Sequence, residues 1–267
     1  MGTGMSGTDA EDDDAEGVES VEPTQVDDVD FVPGPGSDSA ELVNRCIPED
    51  IRKRYEVYSY RSAALILSQQ HPQEFSELIE ALRAFRVSRK VIRSPGGNES
   101  DVPKSLSRIL RPLGWHETII RADLTVTKEW IAGEKREKTI FTRERYLDGH
   151  KVDYVKNRTA FDMEWNSKDQ TFDRDLYAFN AFSQTGVIDV GVILTRGTSL
   201  TPFIRTLGPK LRKDGTETNE PTASKYGAST TWMGKLLYRL NAGRNGACPV
   251  LALGITPECV IDDDAAA

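Results

Sequence analysis

Three acidic residues near the middle of the chain have a spacing that could build a metal-dependent catalytic site. Asp162 and Glu164 lie two residues apart in a segment, 159–165, where acidic and bulky apolar residues alternate. This period of two predicts a β-strand with both carboxylates on one face. A strand that holds Asp153 would bring a third carboxylate alongside. Three carboxylates on a rigid sheet suit Mg²⁺, which can hold a scissile phosphate, lower the pKa of a bound water and stabilise a leaving oxygen. The spacing alone leaves open that these acids form the solvated face of a strand.

The other residue types that often do chemistry are scattered. The odd number and wide spacing of the cysteines indicate neither a disulfide framework nor a zinc site. The dispersed histidines argue against a His-based metal cluster or a Ser-His-Asp triad. The absence of a glycine-rich phosphate loop or dinucleotide fingerprint counts against a metabolic Mg²⁺ enzyme. The cysteines and histidines are Cys46, Cys248, Cys259, His71, His116 and His150.

Strands and helices alternate in the second half of the chain, which would position the acids on a sheet. The runs at 187–195 and 249–255 are almost wholly apolar, as in strands buried on both faces. Asp173 could cap one helix and Ser229 another, whereas 208–228 is polar and predicts a loop. The alternation indicates an α/β domain with a mixed central sheet. The remaining strands are predicted at 118–127, 138–142, 152–154 and 159–165.

The part of the chain before residue 116 predicts mainly helices. Asp38 or Ser39 could cap a first helix, and residues 49–70 look helical. Pro72 fits the first turn of the next helix, because a proline there loses no helical hydrogen bond. Residues 103–113 predict a short helix, and 94–98 a turn.

The net charge of −8 hides a basic central part between two acidic ends. Residues 1–40 hold twelve Asp and Glu and no Lys or Arg, and residues 262–264 add three acids, so residues 41–261 carry a net charge of +7. We predict a disordered acidic tail over 1–37, a single domain over 38–261 (38–115 mainly helical, 116–261 α/β) and a short tail over 262–267. The basic part permits a phosphate-binding face.

The N-terminal sequence has no basic start and no apolar h-region, and no stretch approaches the ~20 apolar residues of a membrane helix. We therefore expect a cytoplasmic protein without a membrane partner.

The sequence DYVK (153–156) followed by FDMEWN (161–166) resembles the PD-(D/E)xK nuclease motif, in particular the branch with BglII, BstYI and BamHI. In that branch an acid or amide replaces the final lysine, which Glu164 matches. The sequences DRDL (173–176), LTRG (194–197) and SKYGASTTW (224–232) are also similar to this branch. The resemblance implies a restriction-endonuclease-like core, with a mixed central sheet flanked by helices.

The resemblance also implies roles for single residues. Asp153 and Asp162 would be metal ligands, the Met163 carbonyl would be another, and Glu164 would orient or deprotonate the attacking water. Glu117 is the candidate for an additional acid before the motif, and Thr118 competes for that position. Without a lysine at 164, a metal-bound hydroxide or the substrate phosphate is the alternative base.

DNA-contacting residues are expected near this motif and in the later loop. Lys156 would neutralise the leaving phosphate, or it is an ordinary lysine at a strand end. The backbone-contacting candidates Lys210, Arg212 and Lys213 could equally be a solvated loop. The expected DNA-contacting residues near the motif and around the later helix start are Asn166, Ser167, Ser224, Lys225, Ser229 and Thr230.

The function implied is a Mg²⁺-dependent type II endonuclease that cuts duplex DNA at a short palindromic site. The resemblance implies a GATC-centred site, a homodimer with one active site per strand, and a companion methyltransferase in the host. The alternatives are a repair-type or modified-DNA nuclease of the same superfamily, and a DNA-binding module without catalysis.

Overall fold

A computed structural model describes residues 34, 36–96 and 101–262 of the chain. Most of the predicted N-terminal tail, part of the predicted turn at 94–98 and most of the predicted C-terminal tail lie outside the described residues. No helix of the described residues is long and apolar enough to cross a membrane.

A six-stranded mixed sheet organises the described residues, in the order β1-β9-β6-β5-β4-β3. Strands β5, β6 and β9 run parallel, and β1, β4 and β3 each pair antiparallel with their neighbour. The sheet confirms the predicted mixed α/β class. Its strands are β1 (Tyr55–Tyr60), β3 (His116–Ala132), β4 (Lys135–Lys156), β5 (Thr159–Glu164), β6 (Val190–Arg196) and β9 (Val250–Ile255). Shorter pairs are formed by β2 (Val87–Ser88) with β10 (Val260–Ile261), and by β7 (Pro209–Leu211) with β8 (Glu217–Pro221).

Helices cover both faces of the sheet. The helices α3, α4 and α6 contribute to one buried cluster with Phe161 of β5, and α7 and α9 contribute to the other with Ala160. Because side chains alternate along a strand, Asp162 and Glu164 lie on the α7 side with Ala160. The helices are α1 (Ala40–Cys46), α2 (Glu49–Arg54), α3 (Ala63–Gln70), α4 (Pro72–Ala84), α5 (Arg89–Arg93), α6 (Asp101–Leu110), α7 (Thr171–Gln184), α8 (Leu200–Arg205) and α9 (Met233–Asn241). Short 3-10 turns occupy Arg111–Leu113, Thr222–Lys225 and Pro257–Cys259.

The central parallel strands are buried along their whole length, as the apolar sequences of β6 and β9 predict, whereas β5 is buried in spite of its two acids. Every residue of β5, β6 and β9 is buried. A side chain at Gly191 of β6 would overlap the ring of Phe179, with a Cβ only 2.2 Å from a ring carbon, so α7 can lie close to the sheet there.

Strands β3 and β4 extend as a two-stranded hairpin far past the rest of the sheet. Strand β4 pairs with β5 only over Tyr154–Lys156, whereas β3 and β4 stay paired up to Ala132 and Lys135. The outer part of this hairpin, residues 124–143, is exposed throughout and is called the hairpin arm below.

The helical prediction for residues 49–70 was wrong in its middle. Residues 55–60 form β1, which pairs antiparallel with β9 over its whole length. Aromatic and β-branched residues favour such a half-buried strand once a partner edge is present, and this tertiary pairing decides against the helix.

Several predicted boundaries also moved. The two segments predicted at 138–142 and 152–154 are parts of one strand, β4, whose pairing with β3 absorbs the charged residues between them through register shifts. Helix α7 begins at Thr171 rather than behind Asp173, which instead binds Arg239 and Arg244. Helix α9 begins at Met233 rather than behind Ser229, and the predicted loop at 208–228 contains β7 and β8. The cap of α1 by Ser39 and the start of α4 at Pro72 are confirmed.

Candidate active site

The fold brings Asp153, Asp162 and Glu164 to the place where β4 and β5 separate. Regular pairing between β4 and β5 ends at the pair formed by Tyr154 and Phe161. Beyond that point the carboxylates bind backbone groups of the other strand. The Asp153 N–H donates to Asp162 Oδ1 at 2.7 Å, and the Met163 N–H donates to Asp153 Oδ2 at 3.2 Å. The two aspartates are thus held in position by two reciprocal hydrogen bonds.

The two acids of β5 are buried and only partly hydrogen bonded. Asp162 is 3% exposed and Glu164 7%, and neither Asp162 Oδ2 nor Glu164 Oε2 has a hydrogen-bond partner. Buried carboxylate oxygens without donors are costly unless a cation or proton binds them. Their position fits a divalent cation, because oxygen is the ligand atom that Mg²⁺ prefers.

Burial and mutual repulsion raise the pKa values of all three acids. Burial, followed by the charge of Asp175, raises the pKa of Glu164 to about 8, although a hydrogen bond with Ser167 opposes the shift. Burial and the charges of Asp175 and Asp153 raise the pKa of Asp162 well above its usual range. Burial also raises the pKa of Asp153, against the effect of the Met163 N–H. The protein thus destabilises the carboxylate form, which a bound cation would favour.

Asp175 and His150 join this cluster, and the sequence analysis assigned neither. Asp175 lies on α7 and is 1% exposed. Its Oδ1 atom lies 3.4 Å from His150 Nε2 on β4. Within the described residues, His150, Asp162 and Asp175 form a group whose ligand atoms all lie within 4.8 Å of one another. Strand pairing and helix packing bring together residues that are distant in sequence, so the wide spacing of the histidines does not keep His150 away from the acids.

Glu117 lies beside the cluster rather than in it. It is half-exposed on β3, and its carboxylate binds Lys151 Nζ at 2.8 Å. Its charge contributes to the raised pKa of Asp153, so the two acids are electrostatically coupled. Thr118, the alternative for this position, donates its hydroxyl to the His116 carbonyl oxygen.

A cleft of about 480 Å³ opens onto the acids. Asp153, Met163 and Glu164 line it, and so do Asp101 and Pro103 at the start of α6. Three of the predicted DNA-contacting residues, Asn166, Ser167 and Lys225, line the same cleft.

Internal hydrogen bonds engage several of the other predicted DNA-contacting residues. Lys156 is turned away from the cleft, because its ammonium binds Glu77 Oε1 at 2.5 Å and the Leu113 carbonyl at 2.8 Å. The hydroxyl of Ser224 donates to the Pro221 carbonyl, and that of Thr230 donates to the Gly227 carbonyl. The Ser229 carbonyl accepts from the Asp169 N–H.

Lys225 connects the loop at 208–228 to the C-terminal end of α5. Its ammonium donates to the carbonyls of Ile92, at 3.0 Å, and Ser94. Burial lowers the pKa of Lys225 to about 8. Its carbonyl accepts from Asn166 Nδ2 at 3.2 Å, so the segment after β5 and the later loop are connected at the cleft wall.

Arg196 is a buried charge that holds two loops at the cleft. It is 1% exposed, and its guanidinium donates to the carbonyls of Trp165 and Thr231 and to the hydroxyl of Thr230. It also lies over the ring of Tyr226, 4.9 Å from the ring centre. From the sequence, Arg196 was noted only as part of the LTRG segment (194–197), and no role was predicted for it. The sequence feature that could have identified it is a charged residue at the end of an almost wholly apolar strand.

A second hollow, of about 420 Å³, adjoins the cleft and is lined by five basic residues, of which Arg93 and Lys210 already bind Glu217 and Glu220. It shares Pro95, Gly96 and Lys225 with the cleft. Its basic lining residues are Arg93, Lys210, Arg212, Lys213 and Lys225. Clustered cations of this kind are suited to binding phosphates of a nucleic-acid backbone.

Comparison with known protein families gives a match over most of the chain. The model of the restriction endonuclease BglII/BglIII family matches residues 55–255, which span β1 to β9 and include all of the acids described above. A search of curated proteins finds no match to the chain.

Proposed function

This chain belongs to the restriction endonuclease BglII/BglIII family, and on that premise we propose that it is a Mg²⁺-dependent enzyme that cuts duplex DNA at a short palindromic site. The observation that carries the proposal is the buried acid cluster at the wall of a cleft with a basic neighbouring hollow. A DNA-binding module without catalysis would have no use for such a cluster, because burying unpaired carboxylates is costly.

Asp153, Asp162 and the Met163 carbonyl are the proposed ligands for Mg²⁺. When bound, Mg²⁺ supplies a Lewis acid that stabilises the charge developing on the scissile phosphate. Asp153 lines the cleft, and Asp162 binds the Asp153 N–H through one oxygen while its other oxygen has no donor. The reciprocal hydrogen bonds between the two strands therefore orient both carboxylates before substrate binds.

Glu164 is the proposed proton acceptor. A general base works best when its pKa lies near the working pH, and burial with the Asp175 charge raises the pKa of Glu164 to about 8. Its Oε2 atom has no hydrogen-bond partner and is thus available to take a proton from the attacking water. Ser167 holds the same carboxylate by a hydrogen bond, which fixes its orientation. By its resemblance to this branch of nucleases, the chain would leave 5′-phosphate and 3′-hydroxyl ends.

Specificity is proposed to come from the segment after β5 and from the later loop. Asn166 and Ser167 follow the catalytic strand directly and line the cleft with Lys225. Side chains with fixed donors and acceptors can read base edges, whereas the basic hollow would hold the phosphates. By its resemblance to BglII, BstYI and BamHI, we propose a GATC-centred site and a companion methyltransferase that protects the host DNA.

A homodimer is proposed, and the hairpin arm supports it. One face of the arm holds Leu124, Val126, Trp130 and Phe141, because Val126 pairs directly with Phe141 and the other two lie at even spacing. These side chains are 37% to 62% exposed. The hairpin from His116 to Gly149 has seven basic and seven acidic residues, so its charge does not favour DNA as the partner. Exposed apolar surface with balanced charge suits a protein partner, and a twofold axis would match a palindromic site.

The test is digestion of a plasmid by the purified chain with Mg²⁺, beside the Asp162→Asn variant, which keeps an oxygen that accepts from the Asp153 N–H. Discrete fragments from the wild type and none from the variant are expected, and sequencing of the ends would give the site. A smear would instead favour a repair-type nuclease. An intact plasmid in both lanes, with methylated and unmethylated DNA, would contradict the proposal and favour a DNA-binding module.

A further inference from the structure

The acid cluster has an inner part that does not face the cleft. Asp153 and Glu164 are among the residues that line the cleft, whereas His150, Asp162 and Asp175 are not. The inner three come from three elements, β4, β5 and α7, and their ligand atoms lie within 4.8 Å of one another. This separation is compatible with three ligands of one metal ion at about 2.0 to 2.3 Å each.

Unpartnered polar atoms are concentrated in this inner group. Among the described residues, His150 Nε2, Asp162 Oδ2 and Asp175 Oδ2 are buried atoms without a hydrogen-bond partner. The side chain of Asp175 is 1% exposed. His150 Nε2 and Asp175 Oδ1 are 3.4 Å apart, yet no hydrogen bond joins them. Buried polar atoms are almost always paired, so an unpaired atom on each of the three residues of this group favours a ligand that binds them together.

The charges of the cluster also favour a cation that competes with protons for the carboxylates. Asp153, Asp162, Glu164 and Asp175 carry up to four negative charges in a small volume. Arg174 Nη2 lies 3.3 Å from Asp175 Oδ1, but this arginine is 62% exposed, and Lys151 binds Glu117, so the nearest basic side chains offset only part of the negative charge. One divalent cation bound to Asp153 would offset at most two of these charges, and a second ion could replace protons on the remaining carboxylates.

We propose that His150, Asp162 and Asp175 form a second, inner cation site that binds a divalent transition-metal ion such as Mn²⁺ more tightly than Mg²⁺. An imidazole nitrogen with carboxylate oxygens suits ions of the first transition series, whereas Mg²⁺ prefers an all-oxygen shell. His150 retains 16% exposure of its side chain, which gives an ion a route from solvent. Asp162 would be shared between the inner ion and the proposed catalytic Mg²⁺, since one of its oxygens already faces Asp153.

The inner site rests on the proposed function only because Asp162 is also a proposed ligand of the catalytic Mg²⁺. Its own ligands can be tested without DNA and without turnover. The experiment is a titration of the full-length chain with Mn²⁺, in which electron paramagnetic resonance reports free Mn²⁺, in the presence of a large excess of Mg²⁺. Pulsed measurements on the same samples detect an imidazole nitrogen bound directly to Mn²⁺.

The wild type is expected to retain one Mn²⁺ per chain under excess Mg²⁺ and to show the imidazole nitrogen signal. His150→Asn and Asp175→Asn should each weaken this Mn²⁺ binding by at least the 10- to 100-fold that loss of an outer-shell partner alone costs. The matched controls are His116→Asn, an exposed histidine on β3, and Asp153→Asn, which removes a ligand of the proposed catalytic site only. Both controls should keep the Mg²⁺-resistant Mn²⁺ and its nitrogen signal.

Two results would overturn the inner site. One is a wild type that retains no Mn²⁺ under excess Mg²⁺, and the other is retained Mn²⁺ without an imidazole nitrogen signal. Neither result depends on whether a variant folds. The plasmid digestion described above tests the proposed nuclease separately, so a chain that binds Mn²⁺ through His150 but leaves DNA intact would refute the nuclease and keep the inner site.

Discussion

The two ends of strand β4 have opposite environments. The inner end, from His150 to Lys156, lies within the sheet and contributes carboxylate and imidazole groups to a buried cluster. The outer end, in the hairpin arm, is exposed and presents apolar rings to solvent, with Phe141 62% exposed. Backbone hydrogen bonds to β3 continue through both ends.

Each end inverts the usual distribution of side chains in a folded protein. Charges are normally outside and large apolar groups inside, because burying a charge and exposing a ring both cost free energy. Each exception is tolerable only when something else binds there. For the inner end we propose cations, and for the outer end a second copy of the chain.

The change expected to have the largest effect is Asp162→Asn. The side chain keeps an oxygen that can accept from the Asp153 N–H but loses the negative charge. Cleavage should fall by at least about a thousandfold, the equivalent of the several kcal/mol that a metal Lewis acid supplies. The free energy of unfolding in EDTA at pH 8 should rise, because the amide cannot carry the charge that burial and the neighbouring acids disfavour at this position.

Single-turnover cleavage and urea unfolding measure these two effects on the same preparation. If the Asn variant were both inactive and less stable, the charge of Asp162 would not destabilise the folded state. The proposed contrast between the two ends of β4 would then be wrong.

The second change removes the apolar face of the hairpin arm. Phe141→Lys should weaken dimerisation by about 30-fold or more, the equivalent of 2 kcal/mol for a central aromatic residue at an interface. Sedimentation velocity over a range of concentrations measures the dimer. Thr142→Lys, the neighbouring position on the opposite face, is the matched control and should leave the dimer intact. If the two variants dimerised equally well, the hairpin arm would not be part of the dimer interface.

The third prediction concerns pH. The pKa of Glu164 is raised to about 8 in the folded chain and returns to about 4.5 on unfolding, so the folded state holds the extra proton between these values. Its contribution to stability is complete below about pH 4.5 and is lost as the pH rises towards 8, with a slope of about 1.4 kcal/mol per pH unit for one proton.

Urea unfolding in EDTA at several pH values measures this slope. Glu164→Gln should flatten it, because an amide does not titrate, whereas the exposed Glu117→Gln should not. Parallel curves for the wild type and the Glu164 variant would mean that this carboxylate is not strained by burial. Added Mn²⁺ should reduce the loss of stability at high pH, since a cation competes with the proton.

The smallest effect is expected for exposed charges, which water screens. Lys213→Ala in the basic hollow should lower the slope of log affinity for DNA against log salt by about 0.9, the value for one phosphate contact. The binding assay is run in Ca²⁺, which often supports binding without cleavage. Lys53→Ala on α2, where the lysine pairs with Glu49, serves as the control and should leave the slope unchanged. A slope unaltered by the Lys213 change would exclude this lysine from the phosphate contacts.

Much of the sheet could be predicted, because its strands have simple patterns. The alternation around Asp162 and the apolar run at β6 each specify a strand and its buried face. Strand β1 could not be predicted in the same way, because its sequence also fits a helix and only its pairing with β9 decides the outcome.

The inner cluster depends on contacts between elements, yet one of its members had a local signal. Asp175 falls on the same helical face as Phe172, Leu176 and Phe179, so an acid occupies a buried position of α7. An acid on the apolar face of an amphipathic helix is a visible anomaly. His150 gave no such signal, because its place depends on the register of β4 beside β5 and on the packing of α7 over both strands.

The hydrogen bonds from the Asp153 N–H to Asp162 and from the Met163 N–H to Asp153 have a consequence for how this protein can change over generations. Each aspartate both serves the proposed chemistry and satisfies a backbone N–H where the strands separate. An alanine at either position would leave that N–H without its partner and lower the stability of the fold together with the activity. Asparagine alone keeps the hydrogen bond and loses the charge. Lineages in which the nuclease decays should therefore pass through Asp-to-Asn replacements at these two positions more readily than through other substitutions.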